Sequence, residues 1–262
     1  MTRYLRLLAI QLRLSVATAM AYRANFLVEI TMSVLWTSIT LLPLFVLFDQ
    51  RTEVAGWDRP SALIVLGYFY AVRAVLEGTI SPSLVVMTAQ IRSGSFDYVL
   101  LKPVDAQFLV SASQYEPWRV IELLTGLGMV VYAFVERGAP PAPGDAVLGV
   151  VLFGAGVAAT YALWILCAAA AFWVVRLDNL MYLLGAVFDV GRWPVSVFRG
   201  VWRVVFTFVI PVAVMTTFPA EALLGRLDGL HALATVGGAL ALVVLARVVW
   251  TVAIRSYTSA SS

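Results

Sequence analysis

The chain has 262 residues, 61% hydrophobic and 13% charged, with a net charge of +3 and a mean hydropathy of +0.91. Soluble domains carry about a quarter charged residues, so this composition excludes a soluble enzyme and leaves room for roughly six apolar spans of ~20 residues. The basic residues are scattered through the connections, which argues against nucleic-acid binding, and the single cysteine, Cys167, makes neither an intramolecular disulfide nor a metal site.

Residues 1–24 begin MTRYLRLLAIQLRLSVATAMAYR. Arg3, Arg6 and Arg13 fall within about 80° on a helical wheel, away from most of the leucines, which predicts an amphipathic helix lying in the membrane interface. The stretch lacks an apolar run followed by a small-residue cleavage site and is not read as a signal peptide. The first span is expected over 25–48, kinked at Pro43. A polar loop, DQRTEVAGWDRP, leads to the second span over 61–83, which carries Arg73 and Glu77.

Residues 84–104 end in QIRSGSFDYVLLKPV, a charged, glycine-punctuated interruption that holds Lys102, the only lysine. LVVMTAQIR extends the preceding helix, Gly94 is placed to cap it, and Pro103 stops regular structure before the next helix. The third span is expected over 116–135, with Glu116, Arg119 and Glu122 near its start as interfacial anchors and Trp118 as an aromatic-belt residue. The short loop ERGAPPAPGD precedes a glycine- and alanine-rich fourth span over 146–173. A polar turn, Arg176 to Asn179, enters a fifth span over 180–198, on which Asp189 and Arg192 share a face.

Residues 199–225 are apolar but interrupted by Pro211 and Pro219, with Arg199 and Arg203 at one end. Two readings stay open: a kinked span, or two short helices that enter the membrane and return. The second is preferred, because it leaves six spans, with the last over 230–252, and puts a slight excess of basic residues on the side of both termini, the cytoplasmic side.

No GxxxxGK[ST] phosphate loop, HExxH motif or Cys/His cluster is present, and His231 is the only histidine. The chain has spans for a pathway but neither an energy source nor a catalytic centre.

Three features then carry a resemblance: the amphipathic N-terminal helix, IRSGSFDYVLLKPV after the second span, and RWPVSVFRGVWRVVFTFVIPVAVMTTFPAEALLG before the last. Together they resemble the permease subunit of a bacterial type-2 ABC transporter, in the subgroup of short six-span ABC-2 family transporter proteins, over essentially the whole chain. The resemblance implies an all-α integral membrane protein forming one transmembrane domain over 1–262, with six transmembrane helices, an interfacial N-terminal helix and a re-entrant external segment at 199–225. It implies a bacterial inner-membrane location and an exporter of drug-like, peptide or lipid-like molecules, built with a second permease, identical or related, among membrane lipids. The chain itself would bind no cofactor; ATP and Mg would sit on a separate ABC ATPase subunit. That subunit would dock on Gln90, Ile91, Arg92, Ser93, Gly94, Ser95, Phe96, Asp97, Tyr98, Leu100, Lys102 and Pro103, with the apolar side chains as anchors and the charges setting register. Arg199, Arg203, Pro211 and Pro219 would belong to an external gate. Arg73 and Glu77, at i and i+4, either pair within their helix or, with Glu122, line the pathway; glutamates facing a cavity would suit a cationic or amphiphilic cargo. A membrane scaffold, or an integral membrane transferase or protease, is the alternative.

Overall fold

The structure, a computed structural model, describes residues 2–173 and 178–257. Among them the fold is helical, with no strand beyond an isolated bridge between Val54 and Trp57. Helix α1 is Thr2–Ala21 and α2 is Arg23–Gln50, which runs through Pro43 without a break. Helix α3, Arg59–Ser93, carries the second span on through LVVMTAQIR to the Gly94 cap as one helix, as expected. A π-helical turn at Leu76–Ile80 lies inside it. Then come the short α4, Asp97–Leu100, and α5, Ala106–Ser111; α6, Pro117–Arg137; α7, Pro143–Phe172; α8, Asp178–Phe188; α9, Val201–Val209; α10, Ala213–Leu223; and α11, Gly229–Arg255. Five of these, α2, α3, α6, α7 and α11, are long and apolar enough to cross a membrane.

Local chemistry sets the ends. Asp58 caps α3 by accepting from the Ser61 N–H (3.3 Å), with Pro60 in the first turn. Asp228 caps α11 in the same way through the His231 N–H (2.7 Å). Gly94 and Gly138 end α3 and α6 with φ of 72° and 73°, left-handed conformations that favour glycine.

The core is built around α3. Residues Ile64, Val65, Leu66, Phe69 and Val72 are almost fully buried. It meets α6 at very short range: a Cβ on Gly67 would lie 2.6 Å from the Gly126 carbonyl oxygen, and one on Gly126 2.5 Å from that of Gly67. Small residues at such crossings let backbones approach and gain dispersion where no hydrophobic effect drives association.

The predicted fifth span over 180–198 is corrected in form. Helix α8 has 11 residues, roughly 16 Å at 1.5 Å per residue. The chain then continues through 3-10 turns at Asp189–Arg192 and Val195–Val197, separated by extended backbone at Trp193 where Pro194 stops the helix. Of the predicted turn Arg176–Asn179, only the backbone of Asp178 and Asn179 lies within the described residues, in α8.

The segment after it enters the bundle and returns to the same face. The Trp57 indole donates to Ser196 Oγ (2.9 Å), and Ser196 Oγ donates to the Ala55 carbonyl (3.3 Å). At the other end Arg226 donates to the Gly56 carbonyl (3.5 Å). Both ends of the α9–α10 pair therefore lie beside the 51–58 loop. Between them the chain bends by 70°. Down the return limb, Gly225 packs on Asp145, Leu223 on Gly149, and Met215 on Gly156. Those α7 positions span roughly 16 Å at 1.5 Å per residue, about half of a ~30 Å hydrocarbon core. The pair thus enters and leaves the bundle on one face. Pro211 sits at the bend, as predicted. Pro219 does not break the chain; it lies in the first turn of the α-helical part of α10, after a π turn at Ala213–Thr217.

Candidate functional site

The predicted intramembrane charges come together in one network. Arg73 Nε contacts Glu77 Oε1 at 3.0 Å, the pairing expected at i,i+4. The network extends further than the sequence suggested: Arg119, expected to anchor at the interface, reaches inward to Glu77 (2.8 Å), Glu116 (3.2 Å) and Glu122 (2.6 Å). Ser33 of α2 donates to the same Glu122 Oε1 (3.2 Å). Arg192 pairs with Asp189 at 2.9 Å and lies over the Phe69 ring, 5.4 Å from its centre.

The π turn at Leu76–Ile80 explains how Arg119 gets there. It holds Glu77 and Gly78; the Gly78 carbonyl accepts from the Glu116 N–H (2.8 Å), and a Cβ at Gly78 would meet Arg119 Cβ at 3.2 Å. Single π turns inside α-helices recur at functional sites. Ser83, buried on the next turn, donates to the Thr79 carbonyl (2.7 Å) and accepts from the Gln114 N–H (2.9 Å), which pins the connection before α6 to α3.

Two cavities flank this network. One, about 710 Å³, lies between α2, α3, α6 and the turn after α8, and Glu29, Arg73, Arg119, Glu122, Asp189 and Arg192 line it. The other, about 1360 Å³, runs toward α1 past Arg73, Glu77, Glu116 and Arg119. Glu122 is 4% exposed; its Oε2 and Arg192 Nε are buried with no hydrogen-bond partner among the described residues.

Sequence reasoning missed Glu29, Ser33, Thr37 and Thr40 as lining residues of the first cavity. The signal was there: their spacing along α2 puts four polar groups on one helix face.

The interruption after α3 lies on the face opposite the 51–58 loop, beside the C-terminal ends of α7 and α11. Gly94 turns the chain as expected. Phe96 is corrected: it is fully buried, with its ring 5.4 Å from Phe172 and 5.5 Å from Tyr257, so it ties the segment to its own bundle and presents nothing to a partner. Val99 is buried beside it, because α4 turns that face inward. The outward groups are Tyr98 (71% exposed), Leu100, Leu101 (79% exposed) and Lys102; Arg92, Ser93 and Pro103 are also exposed, while Gln90, Ile91, Ser95 and Asp97 are half-buried. Beyond Pro103, Asp105 pairs with Arg247 of α11 (2.5 Å), and Gln107 accepts from the same arginine (2.8 Å). Burial pushes the Asp105 carboxyl up, but hydrogen bonds from Arg247 and the Phe108 N–H outweigh it and hold the carboxyl below the usual range.

Over residues 199–225, Arg199 and Arg203 are exposed and Pro219 is buried. Arg203 and Pro211 line a third cavity, about 510 Å³, together with His231 of α11.

No curated protein and no solved structure matches the chain. A family model does, over residues 34–261, and with the helical membrane fold it identifies the chain as a member of the ABC-2 family transporter proteins.

Proposed function

We propose that this permease component is the membrane half of an ATP-driven exporter, with drug-like, peptide or lipid-like molecules as its cargo. Two such chains, identical or related, form the pathway. A separate ATPase binds ATP and Mg and docks on the face carrying residues 92–104, which makes that face cytoplasmic, along with both termini, at a bacterial inner membrane. The α9–α10 pair then sits at the outer mouth as a gate, with Arg199 and Arg203 at its rim and Pro211 at its bend.

One observation carries the reading. Helix α3 runs unbroken from the 51–58 loop to Ser93 and joins an exposed tip to the half-buried charge network. A rigid helix with Glu77 at its π turn and Tyr98, Leu101 and Lys102 just past its end is a lever. Apolar groups at the tip supply burial against a partner, and Lys102 sets register. Phe96 and the Asp105–Arg247 pair brace the tip so that a push on it moves α3 and not a loop.

The test is Leu101→Asp combined with Lys102→Glu. The variant inserts and elutes as the parent does, but loses co-purification of the ATPase subunit and ATP-dependent transport in proteoliposomes. Parental transport by this variant removes the docking role.

A further inference from the structure

We propose that the 510 Å³ groove between α9, α10 and α11 holds one anionic phospholipid as a resident ligand, its phosphate on Arg203 and an acyl chain laid along α11. This goes beyond the transport reading: the lipid braces the fold and is not the cargo.

The lining is graded from one end to the other. Arg203 and His231 stand at the end nearer the 51–58 loop, and Ala234, Gly238, Ala239 and Leu242 continue the wall along α11. Val204 and Phe208 of α9 face them, and Pro211 and Val214 close the space at the bend. The two hydroxyls in the lining, Thr207 and Thr235, donate to carbonyls four residues back in their own helices (2.7 and 2.8 Å). Beyond its polar end the groove is therefore apolar. From His231 to Leu242 it runs roughly 16 Å at 1.5 Å per residue, about one leaflet's share of a ~30 Å hydrocarbon core. A basic head and an apolar wall one leaflet long match the two parts of a phospholipid. Phe208 is 80% exposed at the rim and Gly238 is exposed on the facing wall, so a chain enters sideways from the bilayer.

Charge selects the headgroup. Arg199 and Arg203 are exposed and make no ion pair among the described residues. Of the carboxylates near this end, Asp228 is engaged by the His231 N–H and ring, each at 2.7 Å. Glu221 of α10 lies in the field of Arg226 as well as Arg203. The end keeps a surplus of guanidinium, whose fork of donors suits phosphate oxygens. A head that is negative overall adds no cation to that surplus, whereas an ammonium head does.

The groove shares no lining residue with the two cavities at the charge network, so its occupant stands apart from a pathway through them. Among the described residues no hydrogen bond joins α9 to α11. A lipid between them would set the distance at which the bent pair stands from α11.

The experiment uses the full chain, delipidated in detergent, with dioleoylphosphatidylglycerol as probe. Dioleoylphosphatidylethanolamine carries the same chains on a neutral head, and glycerol 3-phosphate carries a phosphate without chains. Native mass spectrometry counts retained lipid, and titrated thermal melts read affinity. One phosphatidylglycerol is retained in preference to phosphatidylethanolamine, and glycerol 3-phosphate does not displace it. Arg203→Gln weakens binding about tenfold, the range of a hydrogen bond to a charged group. Gly238→Leu fills the groove and weakens binding at least as much, since a side chain there meets nothing within 4 Å. Gly237→Leu, equally unobstructed but outside the groove, leaves binding unchanged. Should Gly238→Leu fail to fold, Arg203→Gln, an exposed position, decides the question. Equal retention of the two lipids, displacement by glycerol 3-phosphate, or parental affinity in the folded groove variants overturns the site. ATP-driven movement of labelled phosphatidylglycerol across proteoliposomes makes the lipid cargo and overturns its resident role. A chain that binds the lipid but associates with no ATPase breaks the transport reading and leaves the site standing.

Discussion

Helices α2 and α3 are both apolar spans, yet they do opposite things. Helix α2 has the higher mean hydropathy, 1.9 against 1.5, but only 11% of its apolar window is buried, against 78% for α3. In water that ordering would be inverted. In a bilayer the solvent is itself apolar, so an outer helix needs no polar face, and the innermost can hold serine, threonine, arginine and glutamate because neighbouring helices satisfy them. Hydropathy alone does not rank burial, since α6 shares the 1.5 of α3 with only 22% of its window buried; in α3 it is the polar side chains within the span that mark the interior. Ser61, Ser83, Arg73 and Glu77 of α3 follow that rule.

The sharpest break of this comparison is Arg119→Leu. Arg119 balances Glu77, Glu116 and Glu122, and its loss leaves the buried Glu122 carboxylate, with a side chain 6% exposed, without its cation; breaking a buried pair costs about 3–5 kcal/mol. The detergent-solubilised variant should lose most of its monodisperse, cooperatively melting fraction. Ser33→Ala deletes the tie from α2 to the same glutamate and should cost about 1 kcal/mol. Melts that drop equally for the two variants would mean the network has no centre at α3 and α6.

A smaller effect is expected from steric change. Gly67→Ala puts a Cβ 2.6 Å from a backbone oxygen of α6, where nothing flexible can yield, and should cost about 1–3 kcal/mol. Gly128→Ala on the open side of α6 meets nothing within 4 Å and should leave the melt unchanged or raise it slightly, since alanine is the better helix former. Equal tolerance at the two positions would show that α3 and α6 are not in close contact in the membrane.

Most of this architecture was legible. Hydropathy located the long helices, Gly94 announced its left-handed cap, and the i,i+4 spacing of Arg73 and Glu77 announced their pairing. Three things were not. The length of α8 escaped because Val190 and Val195 keep the stretch apolar past the end of the helix, while Pro194, which limits the helix, was absorbed into a span of the right total length. The burial of Phe96 escaped because its partners, Phe172 and Tyr257, lie far along the chain. Arg119 escaped because the π turn that brings Gly78 against it has no sequence signature of its own.

The smallest effect extends the comparison to charges outside the spans. Asp105 and Arg247 pair at the periphery, with side chains 34% and 47% exposed, where a single ion pair is worth about 0–1 kcal/mol. The Asp105 carboxyl is held below its unfolded value, so its contribution is fully present above the ordinary carboxylate range and fades as pH falls through the lowered value. Asp105→Asn keeps an acceptor for the Phe108 N–H that caps α5 but deletes the charge. The variant should melt about 1–3 °C below the parent at pH 6.5, and the gap should close on acidification toward pH 3 as the parent loses the same charge. A gap that stays constant across that range would assign the effect to the cap and not to the ion pair. A gap as large as that of Arg119→Leu would mean that burial does not set the worth of charges in this protein.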